Sequence, residues 1–219
     1  MKPVYFKQNL RIITLCCIWK IDSWSLGVNY VIYILSYTFH QLPRTFSTTL
    51  SMSDPAQPTY LVSAYSDPVV VKVRGKANYL NCNAFREFIE TVITGGCRKL
   101  FIDFVDCKGM DSTFLGILAG TAIQLRKLKP AGELIVGNLS ERNYELICNL
   151  GLQNLLAISK DQAAASETFN ALKNQEVSDA KNVLKAHENL TDANQENVDK
   201  FQDVIAFLRN QVEKQEKHA

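Results

Sequence analysis

The side chains best placed for chemistry in this chain are Asp111 and Ser112, in the run "GMDSTFLGIL" (109–118). Two short polar residues stand there between an apolar strand-like segment and an apolar helix-like one. A serine hydroxyl in such a place has two uses. It can cap the helix by accepting a hydrogen bond from an N–H of the first turn, a contact worth about 1 kcal/mol. It can also accept a phosphoryl group, because the free N–H groups and positive dipole end of a helix start receive an anion well. A phosphate there would add about −1.5 to −2 charges at pH 7 beside Asp111, which repels it, so modification would change the local surface. No capping box supports the cap, since Phe114 and Leu115 occupy the positions where Glu or Gln would reach back. The residues alone leave both readings open.

Other chemistries lack their constellations. The sequence has no Ser/His/Asp set at a known spacing, no Gly-rich phosphate loop and no evident carboxylate pair, so no enzymatic activity, cofactor or catalytic residue is expected. The six cysteines (Cys16, Cys17, Cys82, Cys97, Cys107, Cys148) form no C-x-x-C, and His40, His187 and His218 lie far from them in sequence. That pattern predicts reduced thiols and no metal site. With 24 Lys and Arg against 22 Asp and Glu, no nucleic-acid or anionic-membrane partner is expected.

The elements that must hold Asp111 and Ser112 are legible from residue 60 onward. "YLVSAY" and "VVVKVRGK" are β-branched runs, the second expected to end at a Gly75 turn. "NCNAFREFIETVITGG" reads as a helix capped by Asn81 or Asn83, with Phe85, Phe88, Ile89 and Val92 at helical spacing and Gly95-Gly96 as its stop. "KLFIDFV" is a short apolar run suited to a strand buried on both faces. "STFLGILAGTAIQLRKLK" is the helix Ser112 would open, with Arg126, Lys127 and Lys129 at its negative end. "ELIVGNL" is a strand, "SERNYELICNLG" a helix capped by Ser140 and stopped by Gly151, and "LLAIS" a last strand. The order ββαβαβαβ predicts an α/β domain with a mostly parallel sheet of four to five strands and helices packed on it. Gly116 and Gly120 each cost their helix about 1 kcal/mol against alanine. With Ala119 and Ala122 they leave a low surface, suited to close packing on the sheet or to a partner.

The flanks differ in composition. Residues 1–51 hold five bases and one acid and form a first segment; 52–159 are nearly balanced; 160–219 hold eight bases and eleven acids. The uncharged span "SWSLGVNYVIYILSYTFHQLP" is long enough to cross a bilayer but is interrupted by polar residues. "MSDPAQPTY" resembles an ordinary start, so translation from Met52 is the preferred reading, with a membrane segment as the alternative. In 160–219, with no strand signal, Ser166, Ser178 and Thr191 are candidate caps of short helices. Val198, Phe201, Ile205, Leu208 and Val212 form one amphipathic stripe, either packing on its own domain or pairing with another chain.

Taken together, "VVVKVRGK", "KLFIDFVDCKGMDSTFLGIL" and "ELIVGNLSERNYELICNLGLQNLL" resemble the STAS domain, shared by bacterial anti-sigma factor antagonists and the tails of sulfate-type transporters. The resemblance covers about residues 69–159. It implies a cytoplasmic, non-enzymatic regulator whose Ser112 is phosphorylated by an anti-sigma factor of serine kinase type and reset by a serine phosphatase. The implied partner-binding surface is Asn78, Tyr79, Asp111, Ser112, Thr113, Phe114 and Gly116. The same resemblance also admits a STAS subunit of a membrane transport or scaffold complex, in which Ser112 is only a cap. Two positions depart from the family pattern: Phe114 stands where glycine is usual, expected as an exposed apolar contact beside the acceptor, and Asn78 replaces a common acidic residue.

Overall fold

The computed structural model describes residues 59–160, 168–173 and 176–217. The expectations for residues 1–51, and Ser166 as a cap, lie outside them. The β-branched runs form β1 (Tyr60–Ser63) and β2 (Val69–Ala77), paired antiparallel with Val62 opposite Val71. Gly75 does not end β2. It takes φ +67°, a conformation glycine adopts without penalty, and the strand runs on to Ala77 past a register shift against its neighbour.

Helix α1 (Asn83–Thr94) buries Phe85, Ile89 and Ile93, with Phe88 and Val92 at the margin. Its cap position is Cys82, with no side-chain cap; Asn81 instead ties the loop by accepting from the Asn78 N–H and donating to the Lys76 carbonyl. Gly95 and Gly96 end the helix as expected. Strand β3 (Lys99–Met110) is longer than its apolar run, because its last five residues continue to pair with β2. Next come α2 (Ser112–Lys127), β4 (Glu133–Gly137), α3 (Glu141–Asn149) and β5 (Ala157–Ser159). Ser140 caps α3 by accepting from the Asn143 N–H, and Gly151 turns the chain at φ +69°.

The sheet order is β5-β4-β3-β2-β1-β6, with β2 to β5 parallel. One face of β2, β3 and β4 offers Val71, Val73, Leu100, Ile102, Phe104, Leu134 and Val136 to a single core shared with all three helices. The two-residue β6 (Asn170–Ala171) pairs with β1, a strand the tail's composition did not announce: backbone pairing at a sheet edge needs no side-chain pattern.

The tail also supplies α4 (Ala180–Ala193) and α5 (Asn197–Glu216). The cap of α4 is Asp179, which accepts from the Asn182 N–H at 2.7 Å. Ser178 is buried against Cys82 instead, and Thr191 lies inside the helix with its hydroxyl on the Glu188 carbonyl. Ala186 and Leu190 enter the main core and Phe201 packs on it, while Ile205 and Leu208 of the α5 stripe are buried within the same chain. Residues 57–219 therefore make one compact unit.

Candidate functional site: the Ser112 turn

At the carboxyl end of β3 the chain leaves the sheet through Asp111, whose N–H still donates to the Ala77 carbonyl. Asp111 is extended (φ −100°, ψ 174°) and is the true cap of α2: one carboxylate oxygen accepts from the Phe114 N–H at 2.8 Å. The other accepts from the Tyr79 N–H at 2.9 Å, binding the Asn78–Cys82 turn to the helix start. Burial pushes the Asp111 carboxyl above its ordinary range, opposed by those two N–H groups. The cap is thus the residue before Ser112, and the Ser112 hydroxyl is not consumed by capping.

That hydroxyl meets a residue the sequence reading had not placed near it. Ser112 Oγ lies 3.0 Å from His187 Nε2 of α4, and His187 Nδ1 lies 2.8 Å from the Val183 carbonyl. A carbonyl only accepts, so Nδ1 carries the ring proton and Nε2 receives the Ser112 O–H. The imidazole is 4% exposed and meets the Phe201 ring edge-on. The result is a Ser–His pair with a carbonyl, not a carboxylate, behind the ring. Two residues further along α4, Asn189 donates to the Gly116 carbonyl at 3.2 Å. The one advance signal of this contact was the glycine pair. A Cβ on Gly116 would collide with the Ala186 backbone, and one on Gly120 with the Asn189 amide.

Of the seven expected surface residues, Asn78, Tyr79, Asp111 and Ser112 come together, each partly exposed. Thr113, Phe114 and Gly116 are buried and do not offer a partner surface in this conformation. Phe114 is a correction of substance. Its ring is fully buried in an aromatic cluster, with centroids 5.0 Å from Phe85, 6.1 Å from Tyr60 and 6.3 Å from Phe104. Long helical side chains lean back over the preceding turn; at this position of α2 that direction points into the core. Gly116 is covered by α4, because the low surface left by the glycines is taken up inside the chain.

Burial lowers the His187 pKa from its ordinary value near 6.5, against a weaker opposing pull from Asp111. The folded state therefore favours the neutral ring. This contribution to stability is complete above the unfolded-state value and is lost as pH falls through the lower folded-state value. Urea unfolding at pH 7.5 and pH 5 should show a larger loss on acidification in the natural sequence than in His187→Gln; equal losses would refute the assignment.

Among the described residues no group of His, Cys, Asp and Glu could hold a metal ion, and no helix is long and apolar enough to cross a membrane. Cys82, Cys97, Cys107 and Cys148 are free thiols, and burial pushes Cys82 up to about 11.

The fold and this turn define a small α/β domain that presents a serine at a helix start beyond the carboxyl edge of a parallel sheet. The STAS domain family model matches residues 60–165, just under half of the chain. Solved structures similar to it include the unphosphorylated anti-sigma factor antagonist SpoIIAA, 19% identical over 47% of this chain and 89% of that one (TM-score 0.40). The phosphorylated form of the Bacillus cell fate determinant SpoIIAA is 20% identical over 47% and 92% (TM-score 0.39). An anti-sigma factor antagonist from Mycobacterium paratuberculosis is 24% identical over 50% and 92% (TM-score 0.43). No curated protein matches the chain in sequence.

Proposed function

We propose that this chain is a non-enzymatic, cytoplasmic regulator of the anti-sigma factor antagonist type, switched by phosphorylation of Ser112. Its partner on this reading is an anti-sigma factor that is also a serine kinase, with a serine phosphatase resetting the switch. The observation that carries the proposal is the division of labour at the α2 start: Asp111 does the capping, so Ser112 can be modified without costing the helix its cap. A phosphate on Oγ removes the proton that His187 Nε2 accepts and sets two or so negative charges beside Asp111. The contact surface is Asn78, Tyr79, Asp111 and Ser112. Ser112→Asp is expected to weaken capture of the anti-sigma partner in a pull-down while the circular dichroism spectrum is unchanged. Undiminished capture would end the switch proposal.

A further inference from the structure

A phosphoryl group on Ser112 sets a dianion beside Asp111, itself an anion. Among the described residues no Lys or Arg is hydrogen-bonded to Asp111, Ser112 or His187, so the cation that commonly compensates a phosphate is not supplied that way. The ionisable group in contact is the His187 ring, with Nε2 3.0 Å from the Ser112 Oγ. We propose that His187 is the internal counter-ion of phosphorylated Ser112: Nε2 takes the proton that the hydroxyl gives up, and the imidazolium then holds the phosphate. This rests on the reading of Ser112 as the phospho-acceptor. In the transfer, Oγ attacks the terminal phosphoryl group of a nucleoside triphosphate held by the kinase. The Oγ–P bond forms, the bridging P–O bond breaks and a nucleoside diphosphate leaves. The O–H proton, already directed at Nε2, stays on the ring, and the hydrogen bond reverses: Nε2–H donates and a phosphate oxygen accepts.

The ring is placed to change charge without moving. Its Nδ1–H donates to the Val183 carbonyl at 2.8 Å, a contact that suits the neutral and the charged imidazole alike. It is 4% exposed, meets Phe201 edge-on and reaches Ser112 from inside the chain, which leaves the partly exposed side of Ser112 to the incoming phosphoryl group. Burial keeps the ring neutral while Ser112 is unmodified, the state that can accept a proton. Asp111, on the turn, pulls weakly the other way. From α5 comes the uncharged Phe201; Arg209 pairs with Glu188, Lys200 with the Asn149 carbonyl, and Lys185 lines the groove between α1, α2 and α4. An opposite charge in contact favours the charged form, most strongly where water is excluded. Asp111 is the rival acceptor, since burial raises its carboxyl too, but its oxygens already accept from the Phe114 and Tyr79 N–H groups, which favour the anion. His187 lies outside residues 60–165, so the family pattern does not contain it.

The test uses the full chain with phosphoserine inserted at position 112 during translation, its imidazoles followed by nitrogen NMR through a pH titration. The His187 signal is picked out by comparison with His40→Gln and His218→Gln. In the unmodified chain His187 is expected to titrate below the ordinary value near 6.5; in the phosphoserine chain it should titrate above that value, with both ring nitrogens protonated at neutral pH. The phosphorus signal should titrate below the second pKa of about 6 usual for phosphoserine, and return toward it when His187→Gln is added. A His187 that stays neutral beside the phosphate, a proton found by carboxyl carbon shifts on Asp111 instead, or a modified chain that unfolds and returns His187 to its ordinary value would each overturn the assignment. The phosphate is installed without kinase or partner, so a failed Ser112→Asp pull-down leaves this result standing. A neutral His187, in turn, leaves the switch standing with its counter-charge outside the chain.

Discussion

Phe114→Ala is expected to destabilise the protein by about 3–5 kcal/mol, the usual cost of deleting a fully buried phenyl ring. The position has no exposed surface, and its ring joins β1 through Tyr60, α1 through Phe85 and β3 through Phe104. Truncation removes apolar area from the core and leaves a void between three elements that cannot all close inward at once. Aromatic pairs in offset or edge-on geometry add about 0.5–1.5 kcal/mol beyond area, and this ring makes three such contacts. Thermal unfolding should fall by on the order of 10 °C for a chain of this size. Phe114→Leu, which keeps most of the volume, should recover much of the loss. A Phe114→Ala protein within 1 °C of the natural one would show that the ring is not the keystone described here.

Asp111→Ala is expected to cost about 2–4 kcal/mol, whereas Ser112→Ala, which spares the cap and leaves only His187 Nε2 without its donor, should cost about 1–2 kcal/mol. The carboxylate does two jobs. It satisfies the Phe114 N–H in the first turn of α2 and the Tyr79 N–H in the loop after β2. Removing it forfeits a cap and leaves a second, partly buried donor unmet, and both costs fall on the same turn. Asp111→Asn keeps one acceptor oxygen and should land between the two. Chemical unfolding of the three variants checks the order. If Ser112→Ala proved the more damaging change, capping would belong to Ser112 and the proposed freedom of its hydroxyl would be lost.

Much of this architecture was readable before any coordinates. The ββαβαβαβ order, the Gly95-Gly96 and Gly151 stops and the Ser140 cap all rest on interactions within a few residues, and such interactions leave local patterns. The choices left open and the errors share a cause as well. Choosing between Asp111 and Ser112 as the cap depended on the Tyr79 N–H, which lies 32 residues upstream in the chain. Placing Phe114 outside instead of inside depended on Tyr60 and Phe85, supplied by other elements. Extending β2 past Gly75 depended on the parallel partner β3. In each case two local options were nearly equal, and a distant contact chose between them.

The Ser112 turn shows both sides of this division. A polar pair between an apolar strand and an apolar helix was enough to mark it as the place where chemistry could happen. Local sequence encodes the start of a helix, and the strand order puts that start at the open edge of the sheet. What covers the serine is another matter. His187 is 75 residues away, on a helix whose own periodicity shows which face is apolar but not which surface that face meets. Gly116 and Gly120 announced that something comes close, and the folded chain shows that it is α4. Periodicity and capping are short-range and can be read along a line; the pairing of two helix faces is a choice among surfaces and exists only once the chain has folded.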